Sequence, residues 1–520
     1  MPRQTQVISA MLRRAGEMGS SARSGRQRLV DAASLHSGLR PSAQTPIANG
    51  LSGLARIAFS GDGIPASLLA FAFALYGLVA VGLLAFNIPP FQNPDEHTHF
   101  LRAVQLADGG LVGTRFTIPA PGGPDRVMGG GPVDAALGPA FAPFFPVIGN
   151  PDVKVTRSMW NPLVHWSNAR VPMIFSNTVV NPPLFYAPAA LGVLIGRAEG
   201  ITVVRTLTLS RSITGITAVG ISAVAIACAD GAAIWLFAIL TLPMSLSLLA
   251  SPAQDSLLLA CSALAGALLV RALRRPDGGS RALLTGLTIA LVLVTTARSV
   301  YGSLALLPLT ITAATWRARL VAAAAIVAGV LAWSAIAAAT ALTNVGDFMG
   351  ANPAAQLAKL RTDPLLLLRA TRNTLDVYWW AYVEGFVGRL SWLDLALPRT
   401  YLRTAQWMLV VAAITAALGI KGRPIGVGRR LVIVAGLLGA ALGLLGIQYL
   451  TWTAPGSAMV EGIQGRYFLP LALVGTALLP ALGHTRLAAL HRPLALAVAA
   501  FPIVSIAVVM RAVVLRYYLG

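Results

Sequence analysis

Apolar runs of about twenty residues, separated by short clusters of arginine, dominate the chain from residue 65 onward. Such a run forms a helix long enough to cross a hydrocarbon core about 30 Å thick. The first is Pro65 to Asn87, and later ones cover 206–228, 232–250, 255–273, 281–297, 300–316, 320–343, 404–420, 431–453, 467–483 and 493–513. A shorter apolar stretch, Pro183 to Gly196, lies inside a long polar segment at 88–204, and a second polar segment covers 344–403. The pattern predicts an all-α, polytopic transmembrane bundle of about eleven spans, with no soluble domain and no internal repeat.

Composition strengthens that picture. Of 520 residues 56% are hydrophobic and 11% charged, with mean hydropathy +0.70; soluble chains carry roughly a quarter of their residues as charges. The net charge of +21 does not point to nucleic acid, because the arginines sit between apolar runs and no basic stripe with interleaved aromatics occurs. Residues 1–64 hold eight Arg against Glu17, Asp31 and Asp62 and read as a basic, disordered cytoplasmic tail. Cys228 and Cys261 fall in apolar runs and give neither a metal spacing nor a disulfide framework.

Charge also orients the spans. If 183–196 does not cross, the loops holding Arg271/Arg274/Arg275/Arg281, Arg317/Arg319, Lys421/Arg423/Arg429/Arg430 and Arg486/Arg492 all fall on the inner side. If it crosses, all fall outside, against the positive-inside rule. The first count is preferred, with 183–196 a juxtamembrane helix at the outer leaflet.

That orientation sorts the polar residues by side. Asp95, Glu96, His97 and His99 follow the first span outside; Asp255 lies at the outer turn before the 255–273 span. Arg298 ends a span outside, and Glu461, Gln464 and Arg466 precede the tenth span. Charges beside spanning helices are costly and tend to be functional. Asp95 or Glu96 suits a general base on an acceptor hydroxyl, while guanidinium groups at Arg298 and Arg466 suit a phosphate. Plainer roles compete: Asp95 and Glu96 as a helix cap, Asp255 likewise, and the arginines as interfacial anchors. His97 and His99 alternate with Asp95 but lack a full ligand set, so no metal is expected.

Several stretches carry a family resemblance: PDEHTHFLRA at 94–103, NPPLFYAPAALGVLIG at 181–196, PMSLSLLASPAQDSLLLA at 243–260, ARSVYGSLALLPL at 297–309, GRLSWLDLALP at 388–398 and IQGRYFLPL at 463–471. In these the chain resembles a bacterial family of predicted membrane proteins of unknown function, placed within the GT-C superfamily of polytopic glycosyltransferases. The resemblance implies an inverting sugar transfer from a polyprenyl-phosphate donor to a cell-envelope glycan or lipid acceptor, with little or no need of metal and no cofactor. It implies residence in the bacterial cytoplasmic (inner) membrane, among membrane lipids, with the site on the extracytoplasmic side. It maps the catalytic carboxylate of the first outer loop onto Asp95, with Glu96 beside it. The acidic residue of a Pro-x-Asp-like turn maps onto Asp255, here in a turn one residue longer. Substrate contacts by His97, His99, Arg298, Glu461, Gln464 and Arg466 follow from their placement.

Two other functions compete. A transporter or flippase would place ionisable groups near the bilayer midplane, whereas these spans read as nearly free of interior charge. An envelope assembly protein would use the acidic cluster only to bind a partner.

Overall fold

The computed structural model describes residues 64–119, 125–160, 163–275, 279–422, 424–483 and 485–519, all within the unit Asp62–Gly520. The predicted tail, but for residue 64, lies outside them. Among the described residues seven helices are long and apolar enough to cross a membrane: Ala66–Asn87, Val203–Cys228, Gln254–Arg274, Trp316–Thr340, Arg399–Gly419, Val427–Thr451 and His491–Tyr517. Asp230–Leu240 and Pro243–Leu249 make an eighth if taken as one span, bent by 81°. The bend falls where Pro243, which has no N–H to continue the helix, starts its second half.

By length and composition, seven or eight segments among the described residues qualify as spans, against the expected eleven. The other three expected spans are shorter apolar helices, Arg281–Ala297, Ser299–Thr310 and Gly465–Leu478. At about 1.5 Å per residue, the 17 residues of Arg281–Ala297 reach only about 26 Å. Ser299–Thr310 is a tighter 3-10 helix of 12 residues, about 24 Å long.

Burial orders the bundle. Over its most apolar stretch Gln254–Arg274 is 78% buried and forms the centre, packed by Val203–Cys228, Arg281–Ala297 and Leu469–Val474. Trp316–Thr340 is only 11% buried. Its exposed Leu320, Val321, Leu331 and Ile336 are a liability in water and an asset in lipid.

The polar segment after the first span is more ordered than its sequence suggests. It holds the helix Glu96–Ala107 and an antiparallel sheet ordered Thr114–Ile118, Arg126–Asp134, Arg170–Ile174, with Gly130 paired to both Thr114 and Ile174. The stretch 183–196 forms a 3-10 turn, Pro183–Tyr186, and the helix Ala187–Ala198, which packs on Val203–Cys228. At 12 residues that helix is about 18 Å long, shorter than a hydrocarbon core of about 30 Å. The second polar segment contains the helices Pro353–Thr362 and Leu366–Val387 and a two-stranded hairpin, Arg389–Leu390 with Leu395–Ala396.

A labelling experiment checks the sidedness. In a cysteine-free background, Gly426→Cys, in an open position before Val427–Thr451, is expected to stay shielded from an impermeant thiol reagent in intact cells. Asp152→Cys, exposed in the first polar segment, is expected to label. The reverse pattern inverts the topology.

A carboxylate and guanidinium cluster at one end of the bundle

Asp95 occupies the N-cap position of Glu96–Ala107, yet its side chain makes no capping hydrogen bond. Its backbone is left-handed, with φ 54°, a conformation that few residue types besides Gly, Asn and Asp adopt readily. This turn aims the carboxylate away from the helix. There Asn177 donates to Oδ1 at 3.3 Å, and Arg466 places a terminal nitrogen 3.7 Å from Oδ2. The side chain stays 38% exposed, so it is both anchored and reachable.

Arg466 bridges to a second carboxylate, its other terminal nitrogen lying 3.8 Å from Asp255. Asp255, in the first turn of Gln254–Arg274, accepts a 2.8 Å hydrogen bond from Arg298. Four residues from four distant segments thus form one chain, Asp95–Arg466–Asp255–Arg298. The two contacts of Arg466, at 3.7 and 3.8 Å, are ion pairs longer than hydrogen bonds. The Arg466 terminal nitrogens are thus not engaged by either carboxylate at hydrogen-bond distance. Nε of Arg298 is buried without a hydrogen-bond partner.

Local packing explains the placement of Arg466. A Cβ on Gly465 would lie 1.9 Å from the carbonyl oxygen of Tyr382, so only glycine lets this segment press against Leu366–Val387. Nε of Arg466 donates to Gln464 at 2.7 Å. The Tyr467 ring lies beneath both guanidinium groups, 4.3 Å from Arg298 and 5.4 Å from Arg466, and the Tyr301 hydroxyl holds the Tyr467 carbonyl.

Gln464 also lines a cleft of about 410 Å³ with Tyr378, Tyr382, Arg389, Gly465 and the exposed Glu461. Glu461 therefore faces this cleft rather than the ion-pair chain. His97 stacks on Trp392, centroids 5.8 Å apart, with Phe141 and Phe145 edge-on to it. Burial lowers its pKa below the usual histidine value, against the pull of Asp95 and Glu96. His99 is more enclosed, and burial pushes its pKa down to about 4 despite Asp95 and Asp255. Its Nδ1 lies 2.7 Å from the Tyr186 hydroxyl, which accepts from Asn181. The Tyr186 proton is thereby left for Nδ1, which puts the neutral ring's hydrogen on Nε2.

Glu96 is placed differently from Asp95. It is fully buried, and both of its oxygens accept from Arg211, at 2.7 and 2.5 Å. Arg211 also donates to the carbonyls of Ala85, Ile88 and Pro89. It thus satisfies acceptors left open where the first span ends. The pair positions the turn that carries Asp95; Glu96 itself has no open face.

Sequence reasoning did not single out Asn177, Asn181, Tyr186 or Arg211. Asn181 and Tyr186 lay in a quoted family stretch. Arg211 had a plain signal, a lone charge inside an apolar run. Among the described residues no three His, Cys, Asp or Glu side chains gather as a metal site requires.

A mostly helical protein with several membrane-length helices and a charged cluster where its polar segments meet is a polytopic membrane protein. The chain belongs to the family described as predicted membrane protein (DUF2142), whose model matches residues 78–474. No curated protein and no solved structure matches it.

Proposed function

We propose that this chain is a GT-C-type glycosyltransferase of the bacterial inner membrane. It moves a sugar, with inversion, from a polyprenyl-phosphate donor to a glycan or lipid acceptor on the extracytoplasmic face. The observation that carries the proposal is Arg466 held between the exposed Asp95 and the buried Asp255–Arg298 pair. An acceptor hydroxyl attacks the sugar's anomeric carbon as the bond from that carbon to the phosphate oxygen breaks. The hydroxyl proton passes to Asp95, and the bonding electrons leave with the polyprenyl phosphate. Negative charge grows on that phosphate, and fixed guanidinium groups stabilise it more in the transition state than in the ground state. Gln464 and Glu461 line the adjoining cleft, where sugar hydroxyls find partners. His99 keeps Tyr186 in place, and His97 with Trp392 offers an aromatic wall.

In this reading all eleven expected spans traverse the bilayer, the short ones shielded by their neighbours. Alternating traverses bring 95, 255, 298 and 466 to one end. A transporter is the weaker reading, because the interior charge Arg211 is locked in a fully paired, buried site.

Purified protein in nanodiscs, given a radiolabelled polyprenyl-phosphate sugar and envelope acceptors, is expected to release polyprenyl phosphate and label the acceptor. Arg466→Gln is expected to weaken donor binding and slow transfer by about tenfold or more, with Lys restoring only part, because it keeps the charge and loses the fork. Full activity in Arg466→Gln protein would remove the phosphate role; no transfer from any polyprenyl-phosphate sugar would remove the reaction.

A further inference from the structure

A second cavity, about 570 Å³, lies on the other side of the hairpin Arg389–Ala396. The hairpin turn separates the two spaces. Its Leu393 lines the cleft beside Gln464, its Trp392 stacks on His97, and its Asp394 faces the second cavity. Ser391 and Leu393 both hold positive φ, 58° and 65°, a strained backbone of the kind that persists where the surroundings enforce it.

The lining divides by chemistry. Val508, Ala512 and Leu515 form one stripe of the helix His491–Tyr517, which is long and apolar enough to span. Lys154, Arg511, Arg516 and Asp394 gather toward the end of that helix. That end sits beside the close of the first span, since the Tyr518 hydroxyl donates to the Asn87 carbonyl. The cavity therefore opens at the same end of the bundle as Asp95.

Not all of these charges are committed. Arg516 is spent: it grips Oδ2 of Asp394 and the carbonyls of Val147 and Val153. Lys154 donates to the carbonyls of Leu515 and Arg516, at 3.0 and 3.2 Å, which leaves one ammonium proton and its full charge. Arg511 is exposed and has no carboxylate within ion-pair distance among the described residues. Asp394 keeps an opposite need: its side chain is only 10% exposed, and Oδ1 is buried with no donor. An unmatched buried acceptor is costly until a donor arrives.

We infer that this cavity binds a membrane lipid whose headgroup carries both a phosphate and a free hydroxyl. Lys154 and Arg511 meet the phosphate, the hydroxyl donates to Oδ1 of Asp394, and the hydrocarbon chain lies along Val508, Ala512 and Leu515. The site is distinct from Arg298 and Arg466 and does not depend on the transfer reaction.

The test uses the full chain in nanodiscs and a fluorescent phosphatidylglycerol, which has both head features. Wild-type protein is expected to bind it about tenfold more tightly than phosphatidic acid, which lacks the hydroxyl, and more tightly still than phosphatidylcholine. Arg511→Ala is expected to weaken binding about tenfold. Ala512→Trp, which fills the groove and leaves every ion pair intact, is expected to abolish it. Phosphatidylglycerol affinity unchanged in both variants overturns the site. Equal affinity for phosphatidylcholine, or equally tight binding of soluble glycerol phosphate, overturns the lipid assignment. Asp95→Asn protein is expected to bind phosphatidylglycerol normally, so loss of transfer and loss of this site are read separately.

Discussion

Asp95→Asn protein is expected to fold, to bind donor lipid, and to transfer sugar about a hundred- to ten-thousandfold more slowly than wild type. The asparagine keeps the size of the side chain and accepts from Asn177 as before, but it takes no proton from an acceptor hydroxyl. The left-handed backbone at 95 suits asparagine as well as aspartate, and the lost carboxylate made no cap bond and only a long ion pair. Thermal stability is therefore expected to stay near wild type. Single-turnover transfer by the purified variant, beside its melting curve, is the measurement. Near-normal turnover would take Asp95 out of the mechanism and move the base to Asp255.

The neighbouring carboxylate is expected to behave in the opposite way. Glu96→Gln strands the buried Arg211 guanidinium without a counter-charge, and breaking such a pair costs about 3–5 kcal/mol. Its main symptom is a large fall in stability, measured by unfolding in mixed micelles. Replacing both partners, Glu96→Gln with Arg211→Met, is expected to cost less than the sum of the single changes, because the uncompensated charge leaves too. Additive losses would mean that the pair is not what holds the turn. Wild-type stability with lost transfer would instead make Glu96 a participant in the chemistry.

These two residues show what the sequence disclosed and what it concealed. Adjacent in the chain, Asp95 and Glu96 look alike on paper. The helix that begins between them sends one carboxylate to an open face and the other into a closed one. No local pattern announces that split, because the partner of Glu96 lies 115 residues away. Asp255, Arg298 and Arg466 were legible because each punctuates the end of an apolar run. The strand Arg126–Asp134 was hidden for a different reason. Its Gly129-Gly130-Gly131 core has poor strand propensity and reads as a loop. Yet a Cβ on Gly130 would fall 2.0 Å from the Met173 carbonyl, so glycine is what the packing there requires. The span count and the helix lengths part company at Ser299–Thr310 and Gly465–Leu478, where hydropathy is high but the helices are short. Hydropathy measures what lipid tolerates, not how far a segment reaches.

The ion-pair chain also sets a timetable for biosynthesis. Asp95 emerges from the ribosome 371 residues ahead of Arg466, the cation that joins it to Asp255. Until that late segment is inserted, the earlier helices hold Asp95, Asp255 and Arg298 without their bridge. A partly made chain already threaded into the membrane therefore lacks the completed cluster, which closes only once the segment holding Arg466 is in place.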